Sequence, residues 1–294
     1  MRRRSLPALI VLAAVAGAAL TGCSASNEAS GCTVHSGNGS EAVTASGKFG
    51  ADPEAKVPSP LNVTTTQSST LIRGTGARVA KGGAAELAIT LYDGATGAAS
   101  QTQDGFFPIT SQQFGSGLAD AIECANEGSR IAVAVSPKGG ASQLGATGSV
   151  VALVDVKKVM PDRATGHVRP ATPGFPTVVL APNGQPGIVI GSQKEPKKSA
   201  TAVLKKGDGA KAKKSDAVVV QTQTVSWSDP TSATGTWENS APTAQQLNDG
   251  SALSKALIGQ TVGSQIEVLT PKAKSSDGTA SVTVVDVLGV LPKS

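Results

Sequence analysis

"ALSKALIGQTVGSQIEVLTPK", residues 252–272, repeats the plan of "GLADAIECANEGSRIAVAVSPK", residues 117–138. Each stretch opens on a short apolar helix pattern, turns at Gly-Ser and runs into a strand closed by Pro-Lys. In the later stretch Leu253, Ala256 and Leu257 stand three and four apart, the spacing of one helix face. This predicts a helix over about 251–258, capped by Asp249 and stopped by Gly259.

Two further blocks flank this pair. Upstream, "LIRGTGARVAKGGAAELAITLYD" (71–93) matches "VLKKGDGAKAKKSDAVVVQTQTVS" (203–226), with Gly74 on Gly207 and Gly76 on Gly209, an offset of 133. The helix-strand units pair Leu118 with Leu253, Gly128 with Gly263 and Ser129 with Ser264, an offset of 135. Downstream, "VVALVDVKKVMP" (150–161) matches "SVTVVDVLGVLP" (281–292), and Asp155 meets Asp286 at an offset of 131. Three blocks in one order at nearly constant spacing predict tandem copies of a domain of about 100–130 residues. Each copy reads as strands, one short helix and two closing strands, an α+β domain. Proline and glycine crowd residues 161–187, where lost amide donors break regular elements. The linker is placed at 166–175, between domain one (32–165) and domain two (176–294).

The N-terminus reads as a targeting segment. Arg2, Arg3 and Arg4 precede an apolar run from Leu6 to Leu20, fifteen residues that are short for a membrane span. "LTGC", ending at Cys23, resembles a bacterial lipoprotein box. That resemblance makes 1–22 a signal peptide, Cys23 a lipidated mature N-terminus and 23–31 a small, polar tether. The expected location is extracytoplasmic, anchored to the cell membrane by lipid. The leader holds three Arg and no acid, so its removal lowers the formal charge of +5 by three. Most of the basic excess therefore belongs to targeting, and nucleic acid is not an expected partner. Aromatic residues make up only 3% of the chain, too few for base-stacking platforms.

Beyond Cys23 the cysteines are Cys32 and Cys124, an even pair outside the cytoplasm. The pair suggests a disulfide closing a long loop, stabilising by roughly 4–5 kcal/mol; two buried thiols are the alternative. No Cys-x-x-Cys or Cys/His metal spacing occurs, and His35 and His167 are far apart, so neither metal nor cofactor is expected.

The order "KKGDGA" (205–210), "VVVQTQTVSW" (218–227), "ALIGQTVGSQIEVLTP" (256–271) and "VTVVDVLGV" (282–290) resembles the FK506-binding-protein (FKBP) class of peptidyl-prolyl cis-trans isomerases. The likeness covers roughly 200–292 and, more weakly, 60–160. The chain as a whole resembles two-domain lipoproteins of actinobacterial type. The resemblance implies two tandem domains, each a bent antiparallel sheet wrapped around a short helix. It implies a folding factor whose ligands are unfolded or proline-containing polypeptides.

The resemblance also locates a pocket. The family's Tyr-Thr-Gly falls on Thr222-Gln223-Thr224, or on Ile89-Thr90-Leu91 in the first copy. Its Phe-Asp pair falls on Trp237-Glu238, its indole floor on Leu253 or Leu118, and its last-strand aromatic on Thr283 or Ala152. Trp237, Leu253, Thr222 and Thr283 are the expected pocket, with most of the family's aromatics replaced. The rival reading is a silent cell-envelope binding scaffold. Outside this set, "FFP" (106–108) reads as core, and the eight lysines of 194–214 read as a solvated strand edge.

Overall fold

A computed structural model describes residues 32–100, 102–237, 241–248 and 250–291. Cys23, the signal peptide, the tether, Glu238 and Asp249 lie outside these residues. The chain is mostly sheet, with few helices.

The first half opens with one helical turn, α1 (Asn38–Glu41), and a small hairpin of β1 (Thr44–Ser46) and β2 (Glu54–Lys56). Then come β3 (Gln67–Ile72), β4 (Ala84–Asp93), β5 (Gln103–Pro108), α2 (Ser111–Glu123), β6 (Arg130–Val135) and β7 (Val150–Val159). These five strands form one antiparallel sheet in the order β3-β6-β7-β4-β5.

The second half begins with β8 (His167–Val168), which pairs with β11 from within the stretch read as linker. A hairpin of β9 (Thr177–Leu180) and β10 (Pro186–Val189) follows. Next are β11 (Ala200–Lys206), β12 (Ala217–Ser226), β13 (Ala233–Thr234), β14 (Thr243–Gln246), α3 (Ala252–Leu257), β15 (Gln265–Thr270) and β16 (Ser281–Leu291). Their sheet runs β8-β11-β15-β16-β12-β13, with β14 also on β12. The central order β11-β15-β16-β12 is that of β3-β6-β7-β4 in the first half.

The glycines shared by the halves show why the repeated motifs recur together. In the first half Gly74 N donates to Ser129 Oγ at 3.0 Å and Gly76 N to the Glu127 carbonyl at 3.1 Å. In the second half Gly207 N donates to Ser264 Oγ at 3.0 Å and Gly209 N to the Val262 carbonyl at 3.1 Å. A Cβ on Gly74 or Gly207 would run into backbone of the facing turn. The Gly-x-Gly loop and the Gly-Ser turn are thus two sides of one close approach that side chains would block.

Strand periodicity distributes the core over two faces. On β6, Ile131, Val133 and Val135 face α2, while Ala132 and Ala134 face Val43, Leu61, Val63 and Tyr92. Both faces are covered, so the strand reads as a nearly continuous apolar run. In the second half α3 packs on Val218, Val220, Ile266, Val268, Val285 and Val287. The β9–β10 hairpin lays Val178, Ile188 and neighbouring Ile190 over Val225, Val282 and Val284 on the opposite face.

The two helices differ. α2 is 13 residues long and broken at Gly115, whose φ of +71° places it in the left-handed region. A Cβ there would meet the Gly140 backbone at 2.7 Å. α3 is six residues, and its N-cap is Ser251, which accepts from Ser254 N at 3.0 Å. This differs from the expected cap at Asp249: the residue directly before the first helical turn is the one whose oxygen reaches the third helical amide. Gly259, with φ +86°, follows the helix end.

The halves meet through a small apolar cluster of Ala84, Met160, Val219 and Leu288. The segment after β7 is pinned to the second half where Ala164 N donates to Asp286 Oδ2 at 2.8 Å and Gly166 N to the Gly263 carbonyl at 2.8 Å.

Candidate functional site

In the first half a cavity of about 210 Å³ opens between α2 and the sheet. β4 contributes Ile89 and Leu91, and α2 contributes Phe114 and Leu118, from either side of its break at Gly115. Leu118 is fully buried and forms part of the floor. The rim is uncharged and polar: Ser100, Gln103, Gln113 and Gln143. Phe107 of β5 lies against Phe114, ring centres 5.8 Å apart, which fixes that ring from behind. The volume is below the roughly 300 Å³ at which small-molecule sites begin. It has room for about one apolar side chain, and Gln103, Gln113 and Gln143 bring amide groups to its lining.

Ile89 and Leu118, the first-copy counterparts of Thr222-aligned and Leu253-aligned positions, are brought together here. Ala152 lies in the same core cluster on the α2 side of the sheet. Phe114, Gln113, Gln143 and Leu144 were absent from the sequence reading. Helical spacing does not link Phe114 to Leu118, because the chain leaves helical geometry at Gly115 between them.

Of the four positions expected from the second copy, Thr222, Thr283 and Trp237 lie together around β12. Thr222 pairs with Val285 and Thr224 with Thr283, so Thr222 and Thr283 are diagonal neighbours on the α3 side of the sheet. Their hydroxyls are engaged. Thr224 and Thr283 share a hydrogen bond of 2.9 Å, and Thr222 and Thr236 exchange two, Thr222 N to Thr236 Oγ1 at 2.8 Å and Thr236 N to Thr222 Oγ1 at 3.4 Å. Trp237 N donates to the Thr222 carbonyl at 3.4 Å, and its buried indole Nε1 makes no hydrogen bond. Leu253 packs at the margin of the α3 core. Trp227 is on the other face, donating to the Gln193 carbonyl at 3.1 Å. Phe106 and Phe107 pack into core clusters.

Buried charge sits on the opposite faces of the sheets. Asp155 takes a bidentate pair from Arg130, at 2.6 and 2.7 Å, and Gly50 N at 2.5 Å. The Arg130 guanidinium also donates to the carbonyls of Ser46, Gly47 and Lys48. Its hydrogen bond to Asp155 raises its pKa. In the second half Gln265 replaces the arginine, donating to Asp286 Oδ1 at 2.7 Å. Burial raises the Asp286 carboxyl, opposed by the Ala164 and Gln265 hydrogen bonds. Two residues along β15, Glu267 is 1% exposed and neither carboxyl oxygen makes a hydrogen bond. Burial pushes its pKa up to about 7.

Cys32 and Cys124 form a disulfide. Among the described residues no group of three or more His, Cys, Asp or Glu is placed to hold a metal ion. No described helix is long and apolar enough to cross a membrane.

No protein-family model matches the chain, and no curated protein sequence matches it. Solved structures similar to it include FKBP-type proteins. The three FKBP domains of wheat FKBP73 align at 14% identity over 78% of this chain and 95% of that one, with a TM-score of 0.33. A putative peptidyl prolyl cis-trans isomerase FKBP12 from Mycobacterium tuberculosis aligns at 22% identity over 43% of this chain and 98% of that one, TM-score 0.26. FkpA from Escherichia coli aligns at 19% identity over 39% of this chain and 52% of that one, TM-score 0.27.

Proposed function

We propose that this chain is a tandem FKBP-like protein that binds exposed proline-containing segments of polypeptides. In this reading domain one spans 32–165 and domain two 176–294, and lipid on Cys23 holds both at the outer face of the membrane as a folding factor. The observation that carries the reading is a cavity with an apolar floor, formed by Leu118 and Ile89, under a rim of amides. A proline ring needs such a floor, and the flanking peptide groups need such a rim. The mated Gly-x-Gly and Gly-Ser motifs support it from the side of the framework.

The chemistry of the proposed site requires no nucleophile. An X-Pro amide is held planar by resonance, with a barrier of about 18–20 kcal/mol. Twisting that bond spends the resonance and lowers its polarity. A dry apolar cavity therefore favours the twisted amide over the planar one, and rim hydrogen bonds orient the chain. In the second half the Thr222, Thr224 and Thr283 hydroxyls replace apolar surface, and their mutual hydrogen bonds leave less to offer a ligand. That observation favours the second reading, a silent binding scaffold, for domain two.

A refolding assay limited by prolyl isomerisation tests the enzyme, and methyl-detected titration with a proline-containing peptide tests the site. Faster refolding together with shifts at Ile89, Leu91 and Leu118 supports an isomerase. Shifts without acceleration assign a scaffold. The absence of both overturns the reading.

A further inference from the structure

We propose that the Cys32–Cys124 disulfide is a thiol-exchange site, entered at Cys124, with Arg78 stabilising the departing Cys32 thiolate. This inference is independent of the peptide-binding function above. Arg78 Nη2 donates toward Cys32 Sγ at 3.1 Å and toward Cys124 Sγ at 3.6 Å. Its Nε donates to the Glu123 carbonyl at 2.9 Å, which orients the guanidinium toward the sulfurs. A fixed cation beside a sulfur favours the thiolate over the neutral thiol, and a better-stabilised thiolate leaves faster.

A cavity of about 470 Å³ is lined by Cys124, Arg78 and Lys81, with Asp120 and Glu123 on its acidic side. Cys124 is the cysteine that lines this cavity, Thr33 beside Cys32 borders it too, and both cysteines are half-buried. Cys124 is also the C-cap of α2, the negative end of the helix dipole. Negative charge is disfavoured there, as it is beside Asp120 and Glu123. Cys32 lies nearer the guanidinium and off the helix, so the electron pair of the breaking bond is better placed on Cys32. Nothing of this kind is built in the second half, where Lys211 aligns with Arg78 and no cysteine occurs.

The co-reactant is a thiol, two equivalents or one dithiol. Its thiolate attacks Cys124 Sγ, the Cys32–Cys124 bond breaks, and Cys32 leaves as thiolate with Arg78 as partner. A second thiolate attacks the external sulfur of the mixed disulfide and releases Cys124. Two external thiols are oxidised to one disulfide, the protein disulfide is reduced to two thiols, and the two protons pass to Cys32 and Cys124. The released segment 32–36 keeps its other ties, including the Ser68 N hydrogen bond to the His35 carbonyl at 2.9 Å and the Val34 contact with the core.

The test treats the oxidised full chain with reduced glutathione, quenches with acid and maps the mixed disulfide by mass. The adduct is expected on Cys124. Arg78→Gln is expected to exchange more slowly by roughly threefold to tenfold, the upper end approaching the weak limit of a charge-assisted hydrogen bond and the lower end one weakened further by solvent. Arg78→Lys should recover part of the rate, and the wild-type advantage over Arg78→Gln should shrink in high salt. In denaturant the three proteins should exchange alike. An adduct mainly on Cys32, or an Arg78→Gln rate equal to wild type in the folded state, overturns the proposal. If Arg78→Gln does not fold, adduct position in the wild-type chain decides.

Discussion

Glu267 is the residue whose chemistry departs furthest from its place in the sequence. It lies in an alternating strand at a position that periodicity assigns to the second face, and that face is closed by the β9–β10 hairpin. With its pKa raised from 4.5 to about 7, the folded state keeps a proton that the unfolded chain releases. The associated stability is fully present below pH 4.5 and is lost as pH rises through about 7. The loss is on the order of 3 kcal/mol. Glu267→Gln keeps the shape and removes the ionisation, so it should abolish this part of the pH dependence and stabilise the protein above neutrality. Denaturant melts of both proteins at pH 5 and pH 8 measure the difference. Equal pH dependence in the two would refute the assignment. The contrast with Asp155 is instructive: an equally buried carboxylate is given Arg130 and a backbone amide, and it stands in the half whose outer layer supplies three carbonyls to that arginine.

At the scale of elements, the Gly-x-Gly loop and the Gly-Ser turn carry the fold. Gly74→Ala and Gly207→Ala each drive a methyl into facing backbone, which cannot swing aside as a side-chain end can. Each should cost about 1–3 kcal/mol or more. Gly187→Ala, in β10, is the control: its nearest neighbour would be the Val179 carbonyl at 3.5 Å, and its φ is not in the left-handed region. That change should be neutral, or stabilising by about 0.4–1 kcal/mol through the unfolded state. Midpoints of chemical denaturation for the three variants check the contrast. The glycine pairs were legible because close backbone approach leaves a mark that only one residue type satisfies. The helix cap was less so, since Asp249 and Ser251 are both good caps and only the start of the first turn chooses between them.

Across the whole molecule, the described residues from Cys32 onward cluster as one compact unit, and Met160 sits between the sheets with 1% exposure. Met160→Asp would place a carboxylate among Ala84, Val219 and Leu288. Calorimetry should show one unfolding transition in the wild type and two in this variant, because the charge removes the apolar coupling while leaving each helix-side core intact. A single transition in both would mean that the segment bonded to Asp286 and Gly263 suffices to couple the halves. Residue order alone was enough to read the mostly-sheet class, the repeated blocks, the glycine turns and the cysteine pair, since each is written as a local pattern or a count. Tertiary structure alone decided that a hairpin covers the outer face of each sheet, that Glu267 is buried and that Gln143 and Phe114 line one cavity. A period of two separates the faces of a strand but carries no information about what will later pack on them.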